Sequence, residues 1–166
     1  MAETIGFIGL GRMGKSMAAN LQKKGFQLQV NDLNQAAVNE LVALGAQAAP
    51  VEQIARNCSI VVTMLPSSVE VEHIALSPNG IFANAQPGTL LMDMSTIDPL
   101  ATDKLAKLAA AKGLSMVDAP VGRLAEPLMA RSNSPTLGHP KFPQAGPPDY
   151  DDSGATAMRA AASLRR

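Results

Sequence analysis

The chain has 166 residues, enough for one domain and not comfortably for two, and it is 46% hydrophobic and 17% charged. Its 14 basic and 14 acidic residues give no net charge, so we do not expect a nucleic-acid partner, which would require concentrated positive charge. Cys58 is the only cysteine, which excludes an internal disulfide and a cysteine-based metal site and favours the reducing cytoplasm. No apolar run approaches the ~20 residues of a membrane span, so we expect neither membrane insertion nor export.

The first predicted elements are a strand, a glycine turn and a helix. Thr4–Leu10 is a short apolar run that ends in glycines, which is typical of a strand buried on both faces. Met13, Met17 and Leu21 recur at helical spacing, and Gly25 follows two lysines as a helix stop. The chain therefore begins with a strand and a helix that meet at a glycine-rich loop.

Strands and helices continue to alternate as far as residue 119. The predicted elements are strand Gln27–Asn31, helix Gln35–Leu44, weak strand Ala46–Ala49, a helix from Pro50 to Arg56, strand Ser59–Leu65, helix Ser67–Leu76, a turn at Asn79-Gly80, strand Thr89–Asp93, a helix capped by Asp98 with Pro99 in its first turn, and strand Leu114–Ala119. We expect Val38, Leu41, Val42, Leu105 and Leu108 to point inward. This alternation predicts the α/β class, a doubly wound parallel sheet of the Rossmann type over residues 1–122.

The remaining segment, residues 123–166, breaks the pattern. Positions 124–166 contain no Val and no Ile, and six of the chain's 12 prolines fall between Pro127 and Pro148. Such a composition buries too little apolar surface to offset the entropy lost on ordering, so we expect an irregular Pro-rich tail. Within it, the Ala-rich stretch Thr156–Leu164 favours a short helix.

The glycine loop predicts a site for the ADP part of a dinucleotide. Its sequence, Gly9-Leu10-Gly11-Arg12-Met13-Gly14, has the spacing that permits a tight turn, close approach of the backbone to a pyrophosphate, and packing of helix on strand. Asp32 stands 18 positions after Gly14, where an acid can bind the ribose hydroxyls. Its charge would repel a 2′-phosphate and Leu33 offers no guanidinium, so we predict NAD, with NADP as the alternative. Asp32 could instead be a solvated turn residue before Asn34.

Four motifs carry a resemblance to a known family. They are Phe7–Leu21 around the glycine loop, Thr63-Met64-Leu65-Pro66, Asp93-Met94-Ser95-Thr96 and Asp118-Ala119-Pro120-Val121. Over residues 4–123 the chain resembles the β-hydroxyacid dehydrogenases, the family of 3-hydroxyisobutyrate dehydrogenase and tartronate semialdehyde reductase. Gly122-Arg123 is most similar to the sulfolactaldehyde reductase branch, since most members have Ser-Gly-Gly there.

The resemblance implies roles for particular residues. Met64, Leu65 and Pro66 would line the adenosine and nicotinamide side of the cleft, and Thr96 would lie near the nicotinamide. Ser95, beyond the carboxyl end of a strand, and Arg123, whose guanidinium can bind a carboxylate or sulfonate, are candidates for binding a small hydroxy acid or semialdehyde. The alternatives are that Ser95 and Thr96 cap the helix at Pro99 and that Arg123 is solvated.

The sequence also departs from the family. Its members continue into an all-helical domain and take their catalytic lysine from a GxGxxxKxxNN motif, and both features are missing here. Lys141, the only lysine after Lys112, lies between prolines, and we interpret His73 and His139 as surface residues. We therefore name no catalytic residue.

The function predicted from these features is the cofactor domain of an NAD(P)-dependent oxidoreductase, catalytically incomplete in this chain. A non-catalytic dinucleotide-binding module and a non-functional truncated product are the alternatives. We also expect self-association, because the missing helical domain would leave apolar surface uncovered.

Overall fold

A computed structural model of the protein describes residues 3–120. Within that range strands and helices follow one another as the sequence predicts, with one additional short helix, α5. Their order is β1 (Thr4–Ile8), α1 (Gly14–Lys23), β2 (Gln27–Asn31), α2 (Gln35–Ala43), β3 (Gln47–Ala48), α3 (Val51–Asn57), β4 (Ile60–Thr63), α4 (Ser68–Leu76), α5 (Ile81–Asn84), β5 (Leu90–Asp93), α6 (Pro99–Ala111) and β6 (Ser115–Asp118).

The strands form one parallel sheet in the order β3-β2-β1-β4-β5-β6. Phe7 of β1 pairs with Val30 of β2 on one side and with Val62 of β4 on the other. The strand order therefore reverses between β1 and β4, where the carboxyl ends of the strands leave a crevice. This arrangement confirms the doubly wound α/β fold.

The core lies on both faces of the sheet because neighbouring residues of a strand point to opposite faces. Phe7 packs in the cluster on the face of α1 and α2, whereas Ile8 packs in the cluster on the face of α3 to α6. The second face is also tightly packed at Gly6, where an added Cβ would lie 2.2 Å from Ile54 Cγ2. Helix α3 can therefore lie directly against β1.

Helix α6 begins as the sequence predicts. Asp98 precedes it, and the backbone N–H of Leu100 donates to Asp98 Oδ1 over 2.8 Å, with Pro99 in the first turn. An acid in this position satisfies one of the N–H groups that a helix leaves unpaired. This confirms Asp98 as the cap, and the alternative interpretation that Ser95 and Thr96 cap this helix is wrong.

Two inward residues were predicted wrongly. Val42 and Leu108 are 41% and 39% exposed. On α2 the buried side is already formed by Val38 and Leu41, and Val42 lies about 100° further round the helix. On α6 the buried stripe consists of Ala101, Leu105 and Ala109, small residues beside one leucine, and Leu108 lies at its margin.

The one-turn helix α5 was not predicted, although a turn at Asn79-Gly80 precedes it as expected. Four residues are too few to show helical periodicity, yet Ile81 and Phe82 of this turn are buried. The predicted boundary at residue 122, the irregular segment 123–166 and its short helix lie outside the described residues. Between residues 3 and 120 no helix has both the length and the apolar character needed to cross a membrane.

Candidate cofactor-binding cleft

The loop from Gly9 to Gly14 follows β1 directly, and two of its glycines are required by space. Gly9 has φ +98°, and a Cβ there would lie 2.3 Å from the carbonyl oxygen of Met64. A Cβ on Gly14 would lie 2.0 Å from the carbonyl oxygen of Gly9. These contacts are to backbone atoms, so larger residues at either position require the main chain to move.

Gly11 differs from both, because nothing lies within 4 Å of where its Cβ would be. Packing within the described part of the chain therefore does not require glycine at this position. The absence of a side chain at Gly11 leaves open space in front of the loop, which is the space that a pyrophosphate needs. The residues present fit the group that the sequence predicts here.

Helix α1 presents its amino-terminal end at this loop. Met13 precedes it without a side-chain cap, and no acidic residue lies in its first turn. By contrast, Asn34, Ser67 and Asp98 cap α2, α4 and α6. The end of α1 is therefore left with its partial positive charge, which favours an anion.

Asp32 lies at the end of β2, half-buried, and joins two loops. Its Oδ2 accepts from the backbone N–H of Leu10 over 2.5 Å, and its Oδ1 accepts from the N–H of Asn34 over 2.6 Å. Asp32 is thus more than the solvated turn residue of the alternative interpretation, because it holds the glycine loop as well as its own turn. A carboxylate oxygen can accept a second hydrogen bond, so both remain able to bind hydroxyl groups.

A cleft of about 910 Å³ opens at the carboxyl ends of the strands, next to the glycine loop. The predicted cofactor residues line it, with two exceptions. Leu10 is buried in the core and contributes its N–H to Asp32, while Thr96 is exposed beyond β5. The structure therefore brings the glycine loop, Asp32 and residues 64–66 to one cavity.

The sequence did not predict seven further residues that line the cleft. They are Ile8, Asn31, Leu33, Val69, Glu70, His73 and Ile74. The last four belong to the first two turns of α4, which begins next to Pro66, so helical spacing after that residue could have indicated them. His73 is exposed, as predicted, but it faces the cleft. Glu70 adds a negative charge there, and a hydrogen bond from Ser67 lowers the pKa of its carboxyl group.

Ser95 lies at the carboxyl end of β5, but its hydroxyl has an internal partner. It is 1% exposed, and Ser95 Oγ accepts from the backbone N–H of Leu65 over 2.9 Å. A direct contact between Ser95 and a substrate stays a prediction. Arg123, the other candidate, lies outside the described residues. Between residues 3 and 120 no group of three or more His, Cys, Asp or Glu side chains could hold a metal ion.

A parallel sheet of this order, with a glycine loop between β1 and α1 and an acid after β2, defines a dinucleotide-binding domain. Residues 4–126 match the family described as the NAD binding domain of 6-phosphogluconate dehydrogenase, and the chain belongs to that family.

Its relatives are β-hydroxyacid dehydrogenases, which confirms the resemblance. The chain is 48% identical over 120 residues to 3-sulfolactaldehyde reductase of Escherichia coli, covering 72% of this chain and 40% of the relative. It is 47% identical over 118 residues to the NAD-dependent L-serine dehydrogenase of Pseudomonas aeruginosa, covering 70% and 40%. The structure of Mycobacterium tuberculosis 3-hydroxyisobutyrate dehydrogenase with L-serine matches with a TM-score of 0.68 and 32% identity, over 74% of this chain and 42% of that one. The chain thus spans about two fifths of the length of these relatives.

Proposed function

We propose that the chain binds NAD(H) across the 910 Å³ cleft and supplies the cofactor-binding part of a β-hydroxyacid dehydrogenase. The observation that carries this proposal is the open approach at Gly11, beside the uncapped end of α1 and next to Asp32. In this arrangement Gly9, Leu10, Gly11 and Gly14 form the pyrophosphate loop. Arg12 and Met13 form its outer wall.

The two halves of the sheet would take the two halves of the cofactor. The β1 to β3 half binds adenosine and the β4 to β6 half binds nicotinamide in a doubly wound dinucleotide domain. Asp32 would accept from the adenosine ribose hydroxyls. Residues 64–66 would line the passage between the two halves, and Thr96 would lie near the nicotinamide.

The charge at the ribose end favours NAD over NADP. Asp32 is fixed by two backbone N–H groups, so it cannot turn away from a 2′-phosphate without losing both hydrogen bonds. Leu33, which follows it, is fully exposed and offers no positive charge. The repulsion would therefore act on NADPH and not on NADH.

The bound nicotinamide would exchange a hydride with the carbinol carbon of a small 3-hydroxy acid, a semialdehyde or a sulfonate analogue. Ser95 and Arg123 are the proposed substrate-binding residues. The 166 residues contain no GxGxxxKxxNN motif, so we assign binding and orientation to the described residues and proton transfer to none of them. Binding without turnover is the competing function.

The binding proposal is tested by titrating the chain with NADH and with NADPH and measuring binding by calorimetry and by thermal shift. A ligand that binds only the folded state raises Tm. We expect tighter binding of NADH. The double variant Asp32→Ser with Leu33→Arg should move the ratio of the two affinities toward NADPH by about tenfold or more, equivalent to ~1.4 kcal/mol. Asp103→Ser, which removes an exposed acid from α6, is the matched control and should leave the ratio unchanged.

Two results would contradict the proposal: a wild-type chain that prefers NADPH, or one that binds neither nucleotide. NADH-dependent reduction of tartronate semialdehyde, methylmalonate semialdehyde and sulfolactaldehyde separates the enzyme from the binding module. Turnover near 1 per second, an ordinary enzyme rate, would show that a proton donor has been overlooked.

Location and assembly belong to the same proposal. The one cysteine, Cys58, is buried and unpaired, which suits the reducing cytoplasm where we propose that the chain acts. Self-association, favoured by exposed leucines and valines such as Leu100 and Val69, would be visible as a mass above 17.3 kDa in analytical ultracentrifugation.

A further inference from the structure

A buried polar network lies beneath two of the loops at the carboxyl edge of the sheet. Its members are Thr63 at the end of β4, Asp93 at the end of β5, and the loop residues Leu65 and Ser95; we call it the Asp93 network. Thr63 Oγ1 donates to Asp93 Oδ1 over 2.8 Å, and the N–H of Ser95 donates to the same oxygen over 3.1 Å. Ser95 Oγ then accepts from the N–H of Leu65 over 2.9 Å.

The network is buried and directional. Asp93 is 0% exposed and Thr63 and Ser95 are each 1% exposed, so water does not compete for these hydrogen bonds. The chain of contacts runs from the carboxylate through Ser95 to the backbone of Leu65, a residue 30 positions away in sequence. Leu65 and the adjacent Pro66 line the cleft. The carboxylate therefore fixes a wall of the cleft that it does not itself touch.

We propose that Asp93 is a positioning residue for the nicotinamide end of the cofactor and that it acts through Ser95 on the loop that begins at Met64. This inference rests on the proposed function. It gives Ser95 a positioning role in addition to the substrate contact proposed above. It also makes Ser95 and Asp93 as necessary to the nicotinamide end as Asp32 is to the ribose end.

The direction of the effect follows from the location of the network. Asp93 and Ser95 belong to β5 and the loop after it, in the half of the sheet that holds nicotinamide, while the glycine loop and Asp32 belong to the adenosine half. Loosening the network should therefore weaken contacts to nicotinamide and spare those to ADP-ribose. A general loss of fold would weaken both.

The chemistry of Asp93 also predicts which substitution is tolerated. Its Oδ1 accepts both hydrogen bonds, and its Oδ2 is buried with no hydrogen-bond partner within residues 3–120. An asparagine can place its carbonyl oxygen where Oδ1 lies and make the same two contacts. The negative charge is then not needed for positioning, and Asp93→Asn should behave as the conservative variant.

The experiment measures the affinity of the full chain for NADH and for ADP-ribose, which lacks nicotinamide, in five forms. These are the wild type, Ser95→Ala, Asp93→Ala, Asp93→Asn and the control Ser59→Ala. The control removes a hydroxyl that donates to Glu3 over 2.6 Å at the opposite, amino-terminal edge of β4.

We expect Ser95→Ala, which removes one buried hydrogen bond, to weaken NADH binding by about tenfold, and Asp93→Ala, which removes two, to weaken it by at least as much, with ADP-ribose binding unchanged. Asp93→Asn and Ser59→Ala should both stay within about twofold of the wild type for either ligand. Ser95→Ala keeps the inference testable if Asp93→Ala does not fold.

Three outcomes overturn the inference alone: unchanged NADH binding in Ser95→Ala, equal weakening of NADH and ADP-ribose, or Asp93→Asn as weak as Asp93→Ala. A wild-type chain that binds neither ligand overturns the proposed function, and this inference with it.

Discussion

Alanine substitutions at Gly11 and Gly14 should separate cofactor binding from stability within a single loop. The two glycines lie three positions apart, and the substitution adds the same methyl group to each. At Gly14 the added Cβ would lie 2.0 Å from the carbonyl oxygen of Gly9 and 3.3 Å from Phe7 Cε1, whereas at Gly11 nothing lies within 4 Å. The first change therefore disturbs the folded chain, and the second changes only the space outside it.

The expected magnitudes follow from these distances. Overpacking typically costs ~1–3 kcal/mol, and the backbone oxygen facing Gly14 cannot rotate away as a side chain can. At about 4 °C per kcal/mol, Gly14→Ala should lower Tm by roughly 4–12 °C. Gly11→Ala restricts the unfolded chain, so the free energy of unfolding should stay the same or rise by up to ~1 kcal/mol. Its Tm should therefore be unchanged or slightly higher. Its methyl group would occupy the approach of the pyrophosphate and weaken NADH binding by at least about tenfold.

The assay is a thermal melt of each variant with and without NADH, together with calorimetric titration below the melting range. Gly25→Ala is unsuitable as a control because its φ of +89° would strain alanine. Ala19→Ser on α1, at a half-buried position away from the loop, tests whether α1 tolerates a small polar change. Wild-type NADH affinity in Gly11→Ala would refute the argument that this open space is where the cofactor binds.

Further predictions concern groups away from the loop. Asp98→Ala removes the acceptor of the Leu100 N–H and should cost ~1 kcal/mol, visible as a fall in Tm of about 4 °C with NADH binding unchanged. Desolvation and the charge of Asp93 raise the pKa of Asp118, so the folded state favours its protonated form. The stabilising contribution of Asp118 is complete below the ordinary aspartate pKa and is lost as pH rises through the raised value. Asp118→Asn should therefore raise Tm at pH 7 but not in acid, and equal effects at both would contradict this. Burial raises the pKa of Cys58 to about 11, so iodoacetamide at pH 8 should alkylate it only after denaturation, as mass spectrometry would show.

Much of the fold was predictable because its strands are short apolar runs that end in glycine, proline or a polar residue. Strand Gln27–Asn31 has the bounds that the sequence predicts, and the buried run around Val61 lies in the centre of the sheet. Side-chain burial at the margin of a helix was less predictable. Periodicity identifies the centre of an apolar stripe, as at Leu105, which is buried. Whether a residue at the edge of the stripe, such as Leu108, is also buried depends on tertiary packing around the helix.

The site divides in the same way. The glycine loop and Asp32 lie close together in sequence, so spacing alone predicted that they meet. The internal partner of Ser95 depends on β4 and β5 being adjacent and in register, with Thr63 opposite Asp93. No local sequence pattern indicates that these two strands are adjacent. The position of Ser95 beyond the end of β5 therefore suggested only a ligand contact, and the hydrogen bond to Ser95 from the backbone of Leu65, in the loop after β4, was not predicted.

The kind of atom that faces a glycine also determines whether a second mutation can relieve the steric clash that a Gly→Ala substitution introduces. At Gly6 an added Cβ would meet Cγ2 of Ile54. The substitution Ile54→Leu removes this methyl branch from the β-carbon of residue 54. At Gly14 the atom in the way is the main-chain oxygen of Gly9, which every amino acid carries. A genetic screen that begins from Gly6→Ala should therefore recover suppressors at position 54, whereas one that begins from Gly14→Ala should return mainly true revertants.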